Sequence, residues 1–278
     1  MTQHQRPGPA DVPHADDVPM LGLGTWENTE PDDCATAVET ALETGYRHVD
    51  TAQIYGNEEH VGRGIERADV PREDVFLATK VWIDHLDHDG VVDSTEESLA
   101  KLGVDSVDLL YVHWPCRTYD PEETLRAFDE LVDAGLTERI AVSNFEPEQV
   151  DEAIDVAASP ISANQIEIHP FLPQRELVDY CRERDVEVVA YSPLARGKVF
   201  ESDVLTEIAA DHDASAAQVS LAWLREREIT TIPKATSAAH IEDNSSSLDL
   251  NLSEDEVARI DAIGERDRRV DPDWAPWN

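Results

Sequence analysis

Asp50, Tyr55, Lys80 and His113 lie in the first half of the chain, and their types suit proton transfer to an oxygen. A free phenol, with a pKa of about 10, is a reluctant donor at neutral pH, and a neighbouring ammonium such as Lys80 favours the phenolate and lowers that value. An ammonium in apolar surroundings needs a counterion, which gives Asp50 a part, and an imidazole such as His113 can donate a hydrogen bond to a reacting oxygen. Such a set could protonate and stabilise an alkoxide as it forms. The plainer alternatives are an internal ion pair for Asp50 and Lys80 and a core histidine for His113.

These residues need elements that bring them together. Eight short apolar runs alternate with longer segments of helical period: Met20–Leu23, Tyr46–Val49, Val75–Ala78, Val107–Val112, Arg139–Val142, Ile161–Ala163, Val186–Ala190 and Ile229–Ile232. Helix starts are marked by Pro31-Asp32-Asp33, Pro121-Glu122-Glu123 and Pro147-Glu148, and helix ends by Gly45, Gly103 and Gly135. The alternation predicts a (β/α)8 TIM barrel of parallel strands and outer helices, with a doubly wound open sheet as the rival. One domain over 1–278 is expected, with a polar N-terminal segment (1–19), read as a frayed end or a small plug under the barrel, and a tail at 264–278.

In a barrel, chemistry gathers at the carboxyl ends of the strands. Polar residues follow seven of the eight runs there: Asp50, Lys80, His113, Ser143-Asn144, Asn164-Gln165, Tyr191-Ser192, and Lys234 after Pro233. They describe a ring around one mouth. Trp26, Trp82 and Trp114 stand beside strand ends and, with His113, are the candidates for contact with substrate. Trp274 and Trp277 lie in the tail, which could fold over that mouth.

Composition narrows the functional classes. Sixty acidic side chains against 22 basic ones give a net charge of −38, which would repel nucleic acid and an anionic membrane surface. No run is long enough to cross a bilayer and no secretory leader is evident, so a cytoplasmic, monomeric protein is expected. Cys34, Cys116 and Cys181 are too sparse for a disulfide framework and are read as reduced thiols. Only four basic residues are lysines (Lys80, Lys101, Lys198 and Lys234), and this acidic, lysine-poor surface looks like those of proteins from salt-accumulating halophiles. Molar salt is expected to be needed for folding.

Several stretches resemble the aldo-keto reductase family, here in an acidic, haloarchaeal-type form. They are Gly22-Leu-Gly-Thr-Trp26, Arg47-His-Val-Asp-Thr-Ala52 with Tyr55-Gly-Asn-Glu58, Ala78-Thr-Lys-Val-Trp82 and Asp108-Leu-Leu-Tyr-Val-His-Trp-Pro115. They continue through Val142-Ser-Asn-Phe145, Asn164-Gln-Ile-Glu-Ile-His-Pro170, Ala190-Tyr-Ser-Pro-Leu194 and Ile232-Pro-Lys234. The resemblance implies reduction of aldehydes and ketones, including possible sugars or keto-sugars, by hydride transfer from NADPH or NADH. Tyr55 would be the proton donor, Lys80 and Asp50 would tune it, and His113 would position the carbonyl. It also implies that Ser143, Asn144 and Gln165 bind the nicotinamide carboxamide, that Tyr191 stacks on its ring, and that Ser192 and Leu194 open the pyrophosphate loop. Lys234, Ser237, His240 and Asn244 would serve the adenosine end, with Ser237 capping a helix that runs to about Leu248.

One departure from the family pattern bears on the cofactor. Where serine and arginine usually hold the 2′-phosphate, this chain has Ala235 and His240. A histidine lacks the bidentate fork of arginine and is mostly neutral at pH 7. Lys234 keeps a point charge, so NADPH is favoured with NADH still usable. A catalytically weak NADP(H)-binding sensor is the competing reading, and physiological alcohol oxidation is another. No metal is called for: Asp84–Asp89 reads as a hydrophilic loop. Gly22-Leu-Gly24 is not a dinucleotide fingerprint, because position 27 is Glu.

Overall fold

Proline and acidic residues at helix starts, and glycine at helix ends, cut the chain into helices close to where the sequence marks them. In the computed structural model, which describes residues 14–15 and 18–278, α1 (Pro31–Thr44) begins on Pro31 and ends at Gly45, whose φ of 117° few other residues adopt. The helix α3 (His88–Leu102) is capped by Asp87, whose side chain accepts from the Gly90 N–H. Asp87 and His88 therefore open a helix, and the stretch at 84–89 is only partly loop. The remaining outer helices are α2 (Glu58–Arg67), α4 (Pro121–Asp133), α5 (Pro147–Val156), α6 (Arg175–Arg182), α7 (Asp203–Asp211) and α8 (Ala216–Arg225), followed by α9 (Ala238–Ser245) and α10 (Glu254–Asp261).

Two short strands, β1 (His14–Ala15) and β2 (Val18–Pro19), pair antiparallel ahead of the barrel. Val18 is buried, and the Pro19 carbonyl lies 3.4 Å from His48 Nδ1. The rest of the expected N-terminal segment lies outside the described residues. Eight parallel strands follow: β3 (Gly22–Gly24), β4 (His48–Asp50), β5 (Phe76–Val81), β6 (Val107–Val112), β7 (Thr137–Ser143), β8 (Ile161–Glu167), β9 (Glu187–Tyr191) and β10 (Thr230–Thr231). Each pairs with the next, and single bridges join the ends, Leu21 to Thr231 and Gly24 to Lys234. At this seam a Cβ on Gly24 would stand 2.5 Å from the Ile232 carbonyl oxygen, so only glycine lets the two backbones meet. The barrel is the expected one, and the open doubly wound sheet is excluded.

The main apolar cluster packs between strands and helices, with Phe128 and Trp223 among its largest fully buried members. Burying each such side chain contributes roughly 1.5–3 kcal/mol. A second, smaller cluster of Ala78, Leu109, Tyr111, Ala141, Ala163, Val189 and Ile232 fills the barrel interior. Alternate residues of a strand face the same side. Two positions beyond these interior residues stand Lys80, His113, Ser143, Gln165, Tyr191 and Lys234. The apolar layer inside the barrel thus carries a polar layer above it.

Strand limits differ from expectation where polar residues belong to the ladder. Lys80 lies within β5, and Asn164 and Gln165 lie within β8, which runs on to Glu167. Charged or amide side chains that find partners inside the barrel leave the strand intact but look like its end in sequence. Among the described residues no helix is long and apolar enough to cross a membrane.

Candidate active site

The polar layer is built around a sealed ion pair. Lys80 Nζ donates to Asp50 Oδ1 at 2.5 Å and to the Thr51 carbonyl at 2.7 Å, while Gln165 Nε2 donates to Asp50 Oδ2 at 2.9 Å. Both charged side chains are almost wholly enclosed, at 0% and 2% exposure. Burial pulls the Lys80 ammonium below its ordinary value, and the Asp50 carboxylate opposes that pull.

Tyr55 reaches the pair from a 3-10 turn, Gln53–Tyr55, that ends at Gly56 with φ 65°. Gln53 fixes the turn from both ends of its amide, accepting from the Trp82 N–H at 2.9 Å and donating to the hydroxyls of Ser94 and Ser98. Asn57 accepts from the Thr51 hydroxyl and donates to the Thr25 and Asn28 carbonyls, which sews this loop to the one after β3. The Tyr55 ring centroid lies 5.3 Å from Lys80 Nζ and 5.9 Å from the His113 ring.

The expectation that Lys80 would acidify Tyr55 does not hold in this structure. Burial, then the Asp50 carboxylate, hold the Tyr55 hydroxyl well above the ordinary phenol range. The ammonium is committed to Asp50 and Thr51, and burial outweighs its pull on the phenol. His113 is pushed well below its ordinary value, first by burial and then by Lys80. A neutral phenol and a neutral imidazole therefore face the same space, and both can donate to a developing oxyanion.

That space is a cavity of about 470 Å3. Trp26, Tyr55, Trp82, His113, Trp114 and Trp274 line its aromatic side, and Ser143, Asn144, Gln165, Tyr191, Ser192 and Lys234 line the other. The Trp82 and His113 rings are 5.1 Å apart, Trp114 and Trp274 5.0 Å, and Trp114 and Trp277 5.5 Å, so the tail does fold over the mouth. On the polar wall the Tyr191 hydroxyl donates to Asn144 Oδ1 at 2.8 Å. Asn144 Nδ2 in turn donates to the His113 carbonyl and to Ser143 Oγ, and Ser143 Oγ donates to the Gln165 carbonyl.

Of the adenosine-side candidates Lys234 lines this cavity, and the others do not. Ser237 caps α9 by accepting from the His240 N–H at 3.3 Å, and α9 ends at Ser245 before a 3-10 turn over Ser246–Leu248. His240 is exposed, Asn244 is buried in α9, and Leu194 precedes a 3-10 segment, Ala195–Glu201. None of Leu194, Ser237, His240 and Asn244 lines the cavity.

Sequence reasoning missed one wall. Arg269, Val270, Asp271 and Pro272 border the cavity, held by Glu167 at the end of β8. The enclosed Glu167 carboxylate accepts from the Arg269 N–H at 2.6 Å and the Val270 N–H at 2.8 Å, with His169 Nε2 at 2.9 Å. A carboxylate between Ile166 and Ile168 was the available signal, because a buried acid must find donors. Nothing in the sequence names residues a hundred positions away as those donors.

Comparison with known proteins agrees with this geometry. The chain matches the aldo/keto reductase family over residues 20–265. It is 39% identical to methylglyoxal reductase DkgB of Escherichia coli O157:H7, covering 92% of this chain and 97% of that one, and 37% identical to glyoxal reductase of Bacillus subtilis, covering 92% of each. Among solved structures, a Bombyx mori aldo-keto reductase in complex with NADP superposes with a TM-score of 0.86 at 34% identity, over 91% of this chain and 92% of that one. With a ring of polar strand ends over a closed parallel barrel, and relatives matched over nearly its full length, this chain belongs to the aldo/keto reductase family.

Proposed function

We propose that the protein reduces small aldehydes and ketones to alcohols with NADPH, Tyr55 giving the proton. The observation that carries this reading is the sealed Lys80–Asp50 pair lying against Tyr55 and His113 at the floor of one cavity. His113 and Tyr55 orient the carbonyl oxygen, and the oxygen takes the Tyr55 proton as negative charge collects on it. Lys80, 5.3 Å from the ring, stabilises the phenolate left behind, and Asp50 with Gln165 keeps the ammonium in place. The tryptophans and the tail keep water from the reacting atoms.

The wall opposite fits the cofactor. Side-chain amides and hydroxyls at Ser143, Asn144 and Gln165 stand beside the Tyr191 ring, which suits a flat carboxamide-bearing ring. Lys234 has no carboxylate partner among the described residues and suits a phosphate. When bound, the cofactor supplies the hydride. Ala235 is buried and His240 exposed, so Lys234 is the charge left to favour the 2′-phosphate, and NADH use follows as a weaker alternative. The names of the relatives support dicarbonyl aldehydes as first substrates to try.

Mixing the protein with NADPH and a panel of aldehydes should consume the absorbance of the reduced nicotinamide. Tyr55→Phe should lose most turnover, by about 10²–10⁴, while titration of NADPH by protein fluorescence stays within about twofold. Near-full activity in Tyr55→Phe would remove the assigned donor. Binding of NADPH with no turnover of any carbonyl would favour a sensor.

A further inference from the structure

Glu58 is a buried acid to which the proposed chemistry gives no task. It opens α2 two residues after Gly56 and is 2% exposed. An acid in the first turn suits the helix dipole, but Glu59 beside it does so from solvent, where a charge is easily held. An enclosed carboxylate needs good donors. Thr79 Oγ1 donates to Glu58 Oε1 at 2.7 Å. Burial pushes the Glu58 carboxyl above its ordinary range, and hydrogen bonds from Thr79 and Ser98 work against that, ahead of the charge of Lys101.

These donors connect Glu58 to the active site. Thr79 is the residue before Lys80 on β5, and successive residues of a strand face opposite sides, so Thr79 points out of the barrel and Lys80 into it. The Glu58 carboxylate therefore grips β5 from outside, at the position next to the ammonium. The start of the same loop is tied there too, since Gln53 Oε1 accepts from the N–H of Trp82, the residue after β5. Gln53 Nε2 also donates to the Ser98 hydroxyl at 3.2 Å, so one serine on α3 joins both anchors. Tyr55 hangs between them. Thr79 and Ser98 are buried, so water does not compete for these bonds.

We propose that Glu58 is a positioning residue for proton transfer, holding the loop that carries Tyr55 against the strand that carries Lys80 through the Thr79 hydroxyl. The proposal rests on the reductase reading, in which Tyr55 gives the proton. A misplacement of about 1 Å in a reacting group can lower a rate on the order of 10²-fold, so a bond on the outer face of the barrel can govern chemistry inside it.

The test pairs kinetics with a probe of Tyr55 that needs no turnover. Glu58→Leu and Thr79→Val each remove the bond and should lower kcat by about tenfold or more, with KM for the aldehyde and the NADPH dissociation constant within about twofold of the parent. Combining them should lower kcat no further, because both remove one shared interaction. Glu58→Gln keeps an oxygen that can accept from Thr79 and should keep kcat within about threefold, and Glu59→Gln should leave it unchanged. In protein carrying 3-fluorotyrosine, the Tyr55 fluorine resonance, assigned with Tyr55→Phe, should shift or split in Glu58→Leu and Thr79→Val but not in Glu58→Gln. Thr79→Val, which keeps the shape of threonine, carries the test alone if Glu58→Leu is unfolded. Parent-like kcat in the variants that lack the bond would overturn the proposal, even with a lowered melting temperature, which a helix-starting role alone predicts. So would an unmoved Tyr55 resonance, or a Glu58→Gln variant as impaired as Glu58→Leu. A parent protein that reduces no carbonyl would remove the reductase reading instead, and the fluorine resonance would still decide whether Glu58 places Tyr55.

Discussion

Lys80 Nζ and Asp50 Oδ1 are 2.5 Å apart, and neither side chain is open to solvent. Two charges enclosed this way are hard to separate: each alone would be an uncompensated ion in an apolar barrel. Removing one partner of a buried pair costs about 3–5 kcal/mol. Asp50→Asn should therefore lower stability by roughly that amount in denaturant titration, as well as reduce turnover. A stability loss under about 1 kcal/mol would mean that water reaches Lys80.

The protonation states of Tyr55 and His113 carry a pH signature. Both are held neutral by burial, Tyr55 well above a pKa of 10 and His113 well below 6.5. Steady-state reduction should stay flat from about pH 7 to 9, because the donor keeps its proton across that range. A loss of kcat centred near pH 8 would show that Tyr55 ionises early.

Stability should fall on acidification. An unfolded chain binds a proton at His113 near pH 6.5, whereas the folded chain takes one only well below that. Between the two values the unfolded state holds more protons, so stability present above pH 6.5 is lost as the pH drops through this window. His48, buried with its value also lowered, acts with the same sign. Melting temperature should decline from pH 7 to pH 5, and less steeply in His113→Asn than in the parent. Equal slopes would rule out His113 as a contributor.

Salt should raise stability. With a net charge of −38, self-repulsion is severe in dilute buffer, and at 1 M salt the Debye length shrinks to about 3 Å. A melting temperature that climbs by many degrees between low and molar KCl is expected. A flat response would remove the halophilic reading.

The tail should depend on Glu167. Replacing it with alanine leaves the Arg269 and Val270 N–H groups without their acceptor, a loss of about 1–3 kcal/mol. In Glu167→Ala the tail should become sensitive to limited proteolysis, and KM for aromatic aldehydes should rise more than kcat falls. Unaltered proteolysis would show that Trp274 and Trp277 anchor the tail unaided.

Much of the site is legible in the sequence. The step of two along each strand carries interior residues such as Ala78, Ala141 and Ala163 to Lys80, Ser143 and Gln165, and that periodicity is a local property of the chain. Less legible was the adenosine side, where Ser237 was recognisable as a cap but the positions of His240 and Asn244 around α9 follow from packing.

The sequence by itself determined which chemical groups ring the barrel mouth and in what order, because strand alternation and helix punctuation are written in near neighbours. Tertiary structure decided what those groups do to one another. Whether Tyr55 is acidified or kept neutral depends on burial and charge summed over residues far apart in the chain, and here burial outweighs the ammonium. The tail wall was likewise settled by contacts between distant residues, 102 positions apart from Glu167 to Arg269 and 74 from Arg269 back to Ala195. No local pattern specifies such pairs.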